Sequence, residues 1–373
     1  MDLIPVSRPH LGDEELAEVK NVFDSGWLGL GANVLAFENE LAEFFHAKHV
    51  VCTNTGTTAL HLALDALGIK RGDEVIAPSF TFVASAQAIT STGASPVFCD
   101  INPDDLNIDV RDAAKKITRK TKAIIPVHYR GFPCDMDEIK ALAEDHDLLV
   151  IEDAAHAFGS SYKGKKIGSF NDVACFSFDP IKNITCGEGG AVVFQDSSLL
   201  ERVQQKRILG IDKDTWSRYR NERSWFYDVV THGYRYHMSN ISAAIGLVQL
   251  KKFDAMNRRK IAVAKRYDEA FGKLPELQLL RTNGYRDIGL FVYIFCVLKG
   301  RNELMDHLTQ HSVGSGIHYI PSHLFTYYHR KGLRLPVTEK IYGEILTLPL
   351  FPGISDEQVD RVIDAVQSGI QKR

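Results

Sequence analysis

The sequence predicts an α/β fold: a large domain built on a mainly parallel sheet wrapped by helices, then a smaller C-terminal α/β domain. Three observations predict it. Short β-rich apolar runs alternate with helical stretches through the N-terminal half, the pattern of strands joined by crossover helices. The texture then turns polar, aromatic and Arg-rich from Ile211 to Met238, as expected of a long loop over a surface. A new helical stretch follows and leads into further strands. With 373 residues the chain is long enough for two domains with buried cores. The boundary is expected near residue 250, giving 1–250 and 251–373.

Taken in order, Asp13 to Asp24 reads as an amphipathic helix, followed by the Gly-rich turn from Gly26 to Gly31. A second helix is expected from Val34 to Phe45, and His49-Val50-Val51-Cys52 as a strand. The polar loop Thr53-Asn54-Thr55-Gly56-Thr57-Thr58 then opens a helix running from Ala59 to Leu67. Strands are predicted at Glu74–Ala77, Pro96–Cys99, Ala123–Val127 and Leu148–Glu152, with a late pair near Ala174–Phe178 and Ala191–Phe194. The helix after the polar segment is placed at Asn240–Ala262, and a C-terminal strand at Leu290–Phe295.

Composition narrows the function classes. A formal net charge of -3 gives no electrostatic case for nucleic acid or an anionic membrane. There is no 18-residue apolar run to span a bilayer, and the N-terminal residues lack a signal-peptide pattern, so a cytoplasmic protein is expected. The six cysteines form no C-x-x-C pair and mostly sit in apolar stretches, which points to buried reduced thiols rather than a metal site.

Three segments carry chemistry. Gly56-Thr57-Thr58 lies between a strand and a helix, where free backbone N–H groups and the positive end of the helix dipole suit a phosphate; capping by threonine is the plainer alternative. It matches neither the dinucleotide fingerprint nor the P-loop. Asp153 ends the apolar run Val150-Ile151-Glu152, the position at which α/β sheets meet ligands, and its carboxyl suits a protonated ring nitrogen; His156 follows three residues on. Lys182 stands in an otherwise uncharged turn after Ser177 and Pro180. Desolvation there should depress its pKa and leave the neutral amine that imine formation requires. Glycines 187, 189 and 190 let backbone pass close to a ligand. The order phosphate loop, strand-end aspartate, then lysine in a Ser-x-x-x-x-Lys turn is that of the aspartate-aminotransferase-like fold, the fold type I of pyridoxal-phosphate enzymes.

Over nearly its whole length the sequence resembles the DegT/DnrJ/EryC1/StrS family of sugar aminotransferases. The motifs are Gly56-Thr57-Thr58-Ala59-Leu60, Pro78-Ser79-Phe80-Thr81-Phe82, Glu152-Asp153-Ala154-Ala155-His156 and Phe176-Ser177-Phe178 through Lys182-Asn183-Ile184-Thr185. Gly187-Glu188-Gly189-Gly190, Ala243-Ala244-Ile245-Gly246-Leu247 and His318-Tyr319-Ile320-Pro321-Ser322-His323 extend it. The resemblance implies pyridoxal 5'-phosphate as cofactor, passing through pyridoxamine 5'-phosphate. Lys182 would hold it as a Schiff base and move the proton, Asp153 would pair with the ring nitrogen, and Phe82 would stack on the ring. His156 would lie near the phenolic oxygen, and Gly56, Thr57 and Ser177 would hold the phosphate.

The resemblance further implies L-glutamate and a nucleotide-diphosphate-linked keto sugar as substrates, and a homodimer with shared active sites. The loop ending Gly233-Tyr234-Arg235-Tyr236-His237-Met238 is then the expected donor to the neighbouring site, with Arg235 or His237 where relatives carry an asparagine. Gly187-Glu188-Gly189-Gly190 looks more like enzymes acting on 4-keto-6-deoxy sugars than on 3-keto sugars; a cyclitol ketone is the other alternative. His318, His323, Arg235 and Trp225 are candidates for substrate contact. A lysine at 182 argues against the dehydratase branch, in which histidine replaces it, and against a non-catalytic regulator. Tyr162-Lys163-Gly164-Lys165-Lys166 has the Tyr-x-x-x-Lys spacing of short-chain dehydrogenases, but Gly159, Gly164 and Gly168 surround it, so it reads as a turn or hairpin.

Overall fold

The computed structural model describes residues 2–170, 172–212, 226–281, 283–285 and 287–372. The strands are β1 (His49–Thr53), β2 (Glu74–Pro78), β3 (Ser95–Cys99), β4 (Thr121–Ile124), β5 (Leu149–Asp153), β6 (Ser161–Tyr162), β7 (Lys165–Lys166), β8 (Val173–Ser177), β9 (Gly190–Phe194), β10 (Leu277–Leu279), β11 (Tyr293–Val297) and β12 (Ile345–Leu348). Seven of them make the main sheet in the order β1-β9-β8-β5-β4-β2-β3. β9 alone runs against the others, since it pairs antiparallel with both β1 and β8 while the remaining pairs are parallel. The sheet is therefore mainly parallel and covered by helices, as the alternating pattern predicts.

The reason lies in the strand sequences. Val173–Ser177 and Gly190–Phe194 are buried at every position, which only a strand covered on both faces allows. Helices 56–66 and 84–91 lie between consecutive strands, and Asn240–Phe271 packs on the first two helices. That long helix runs through position 250. Its first half joins a core with Phe37, Phe176 and Phe178, whereas Val263, Tyr267 and Phe271 belong to a second core with Phe295, Leu304 and Val362. The second core surrounds the three-stranded antiparallel sheet β10-β11-β12. Ile4 also belongs to it, pairing with Val313, so the chain's first residues lie with the C-terminal part.

Tyr162 to Lys166 forms a two-stranded hairpin, β6 with β7, as its glycines suggest. All six cysteines are buried and free. The predicted strand at Leu290–Phe295 begins three residues later, at Tyr293, because the Leu290–Val292 stretch is a buried connection. Helix 240–271 extends nine residues beyond the expected end. Val263, Tyr267 and Phe271 carry the apolar period onto the second core. Among the described residues no helix is long and apolar enough to cross a membrane.

Candidate active site

The carboxyl ends of β1, β5 and β8 open on one side of the sheet, and a cleft of about 310 Å³ lies against them. Asp153 is the last residue of β5 and Ser177 the last of β8, so two neighbouring strands deliver both side chains. Gly56, Thr57, Phe82, Asp153, His156, Ser177 and Lys182 all line this cleft. Seven separately predicted residues thus meet in one place.

At one end the helix starting at Gly56 presents its N-terminus. Its cap, Thr55, accepts from the Thr58 backbone N–H, and Ala59 N bonds the Thr55 carbonyl. Gly56 and Thr57 N–H groups precede the first intrahelical donor, Ala59, and so remain for a ligand. The plainer capping role is filled by Thr55, which frees Thr57 from it. A Cβ on Gly56 would meet Ser177 Cβ at 2.6 Å, so only glycine lets the Ser177 hydroxyl sit beside that helix end.

At the other end Asp153 is 5% exposed and held from two sides. Ser85 Oγ donates to its Oδ2 at 2.6 Å, and the Ala155 N–H to its Oδ1 at 3.2 Å. Thr81 Oγ1 lies 3.2 Å from Ser85 Oγ, extending the chain of hydroxyls. Phe82 is half exposed over the cleft, with its ring 5.5 Å from that of Tyr319. His156 stacks on Phe291 at 4.4 Å, and its Nε2 lies 3.0 Å from Tyr319 OH, while its buried Nδ1 has no partner among the described residues. Burial, with the charges of Lys182 and His318, drives the His156 pKa well below its ordinary value, so the ring is neutral.

Lys182 sits in the connection from β8 to β9. Phe178 N bonds Gly189 O and Cys186 N bonds Phe178 O, closing the base of that loop. Its tip is a tight turn in which Lys182 N bonds the Asp179 carbonyl and Ile181 N the Asp179 side chain. The turn is therefore not uncharged. Burial lowers the Lys182 pKa from 10.5 to about 8, and Asp153 and Asp179 limit the fall. The amine lies 4.3 Å from the Phe291 ring centroid. A sizeable fraction is neutral near pH 7 to 8.

The four candidates for substrate contact separate. His318 has its pKa lowered to about 4 by burial and by the Lys182 charge, and its Nδ1 lies 2.9 Å from Thr347 Oγ1. It stands near Lys182 but does not line the cleft. His323 is turned away: it is 3% exposed and bonded through Nδ1 to Ser79 Oγ at 2.7 Å, with Glu339 on its far side. Arg235 lines a different recess, shared with Trp27, Leu28 and His237. Trp225 lies outside the described residues. Sequence reasoning missed Tyr319, Ser85, Thr81 and Glu188 as cleft residues or their supports. Tyr319 stood within a quoted motif, where its two histidines drew attention instead. Ser85 carried no signal, because its contact with Asp153 spans 68 positions.

The donor set fits pyridoxal phosphate. Helix N–H groups and a serine stand at one end, a carboxyl at the other, a depressed-pKa lysine between them, and aromatic or apolar walls on the faces.

Comparison with known proteins agrees. The model of the DegT/DnrJ/EryC1/StrS aminotransferase family matches residues 9–367. The chain is 41% identical to the spore coat polysaccharide biosynthesis protein SpsC of Bacillus subtilis, covering 98% of this chain and 96% of that protein. Among solved structures, the aminotransferase TlmJ from Streptoalloteichus hindustanus superposes with a TM-score of 0.92 at 34% identity, covering 99% of each chain. The putative sugar aminotransferase Spr1654 from Streptococcus pneumoniae, in its PMP form, has a TM-score of 0.92 at 32% identity, again over 99% of each chain.

Proposed function

The chain belongs to the DegT/DnrJ/EryC1/StrS aminotransferase family and is a pyridoxal-phosphate-dependent aminotransferase, and from that premise we propose that it transfers an amino group from L-glutamate to a nucleotide-diphosphate-linked 4-keto-6-deoxy sugar. The observation that carries this reading is the convergence of Lys182, Asp153 and the Gly56 helix end on one cleft. Bound there, pyridoxal phosphate supplies an aldehyde for the lysine amine and a ring that withdraws electrons from the substrate's α-carbon.

Each side chain then has one task. The Gly56 and Thr57 N–H groups and the Ser177 hydroxyl bind the phosphate. Asp153, its oxygens oriented by Ser85 and Ala155, accepts a hydrogen bond from the ring N–H. Phe82 would cover one ring face, and His156, whose Nδ1 is unpaired among the described residues, would lie near the phenolic oxygen. The neutral Lys182 amine would take the proton from the substrate's α-carbon and return it across the nitrogen, to the cofactor carbon two atoms away. On the keto sugar it runs the same transfer in reverse. Burial favours this because the neutral amine is the base.

Glu188 on the cleft wall supports the 4-keto assignment, since it belongs to the Gly187-Glu188-Gly189-Gly190 stretch that resembles enzymes of that specificity. The enzyme would act in the cytoplasm as a homodimer, with the loop that carries Arg235 and His237 completing the neighbouring site. Incubation with glutamate and a panel of nucleotide-linked 3-keto and 4-keto sugars, read by product mass and NMR, tests the reading. An amine at C4 of a 6-deoxy sugar is expected. A product aminated at C3, or only on a cyclitol ketone, would replace the substrate assignment, and failure of glutamate to change the cofactor's visible spectrum would remove the transfer itself.

A further inference from the structure

A second lysine lies deeper than the part-buried Lys182 and, among the described residues, meets no acid. Lys260, on the Asn240–Phe271 helix, is 4% exposed, and its Nζ donates to Asn183 Oδ1 at 2.8 Å. Burial alone pulls its pKa from 10.5 down to about 7. An amine in this setting costs stability, because desolvation is offset by one amide oxygen and not by an opposite charge.

Its partner is the residue directly after Lys182. The Asn183 Nδ2 donates to the carbonyls of Gly289 at 2.9 Å and Phe158 at 3.1 Å. Phe158 is two residues beyond His156, and Gly289 is two before Phe291, whose ring lies against both His156 and Lys182. One amide thus ties the lysine turn to two walls of the cleft. The junction is tight: a Cβ on Gly289 would meet the Phe158 oxygen at 1.8 Å and Asn183 Nδ2 at 3.1 Å. With both Nδ2 hydrogens spent on carbonyls, Oδ1 needs a donor, and Lys260 is that donor. Lys182, Asn183 and Lys260 border one small cavity that has Arg8 and His10 but no Asp or Glu in its lining.

We propose that Lys260 is a positioning residue for the reaction: through Asn183 it locks the Lys182 turn against the His156 and Phe291 walls and so sets the place and the dryness of the reacting amine. This rests on the reading of Lys182 as that amine. The link is local and geometric. Cutting it lets water reach the turn, which moves Lys182 toward an ordinary lysine.

The test uses the full-length, cofactor-free protein and does not depend on turnover. Acylation of Lys182 by a small anhydride is followed against pH by peptide mass spectrometry, in wild type, Lys260→Met, Lys260→Arg and Asn183→Ala. The midpoint is expected to rise by about one unit in Lys260→Met and Asn183→Ala, slowing labelling near neutral pH roughly tenfold. Lys260→Arg, which keeps a donor, should return to within about threefold of wild type. Midpoints in Lys260→Met and Asn183→Ala within about 0.3 unit of wild type overturn the proposal. If Lys260→Met does not fold, Asn183→Ala decides alone, since it cuts the other end of the same contact. A wild type that labels as expected but leaves glutamate unconverted when loaded with cofactor sinks the function reading and not this one.

Discussion

The part-buried Lys182 and the buried Lys260 differ in what surrounds them, and the difference separates chemistry from support. Lys182 faces a cleft with Asp153 and Asp179 near enough to hold its pKa up at about 8. Lys260 faces protein, with an amide for its hydrogen-bond partner among the described residues, and burial takes it to about 7. A reacting amine must be neutral part of the time and protonated part of the time, so partial compensation serves it. A positioning amine needs only to donate, and donates whether charged or not.

The sharpest way to break this comparison is to remove each amine in turn. Lys182→Ala is expected to lower amine transfer by more than about 10,000-fold, because nucleophile and proton carrier go together. Borohydride reduction of the loaded protein should then fix no pyridoxyl label at that position. A variant retaining wild-type turnover would remove Lys182 from the mechanism.

A smaller effect tests the surroundings of Lys260 through stability. Its folded pKa lies below the unfolded value, so the unfolded chain holds the extra proton between pH 7 and 10.5. The stability cost is complete below about pH 7 and fades as pH rises toward 10.5. Between pH 7 and 9 the wild type should therefore gain about 2 kcal/mol from this one group, a gain absent from Lys260→Met. Denaturant titrations at the two pH values measure it. Equal slopes in the two proteins would mean that Lys260 is hydrated or paired.

The mildest change concerns the opposite end of the cleft. Gly56→Ala forces a Cβ to 2.6 Å from Ser177 Cβ and should weaken cofactor binding about tenfold, with a smaller change in turnover at saturation. Equilibrium dialysis of the cofactor reads the first and steady-state rates the second. Unchanged affinity would separate the phosphate cradle from the Gly56–Ser177 contact.

Much of the site was legible because its parts are local. Gly56, Asp153 and Ser177 each sit at the end of a strand or the start of a helix and Lys182 in a turn beyond one, and those boundaries are written in runs of apolar residues and in turn chemistry. His323 shows the opposite case. A histidine in a polar motif gives no sign of which way it faces, and the Ser79 hydroxyl that turns it inward lies 244 positions away. Arg235 likewise looked like part of a binding loop, yet within one chain it faces a recess beside Trp27.

By itself the sequence determined the alternation of strands and helices, the depressed pKa of Lys182 and the set of side chains that could hold a phosphorylated ring, because each follows from local pattern and residue chemistry. Only tertiary structure decided that Tyr319 joins His156 and Phe82, that Ser85 braces Asp153, and that Lys260 supports Asn183. Those contacts join residues 163, 68 and 77 positions apart, where packing of distant elements, and no local preference, chooses the partner.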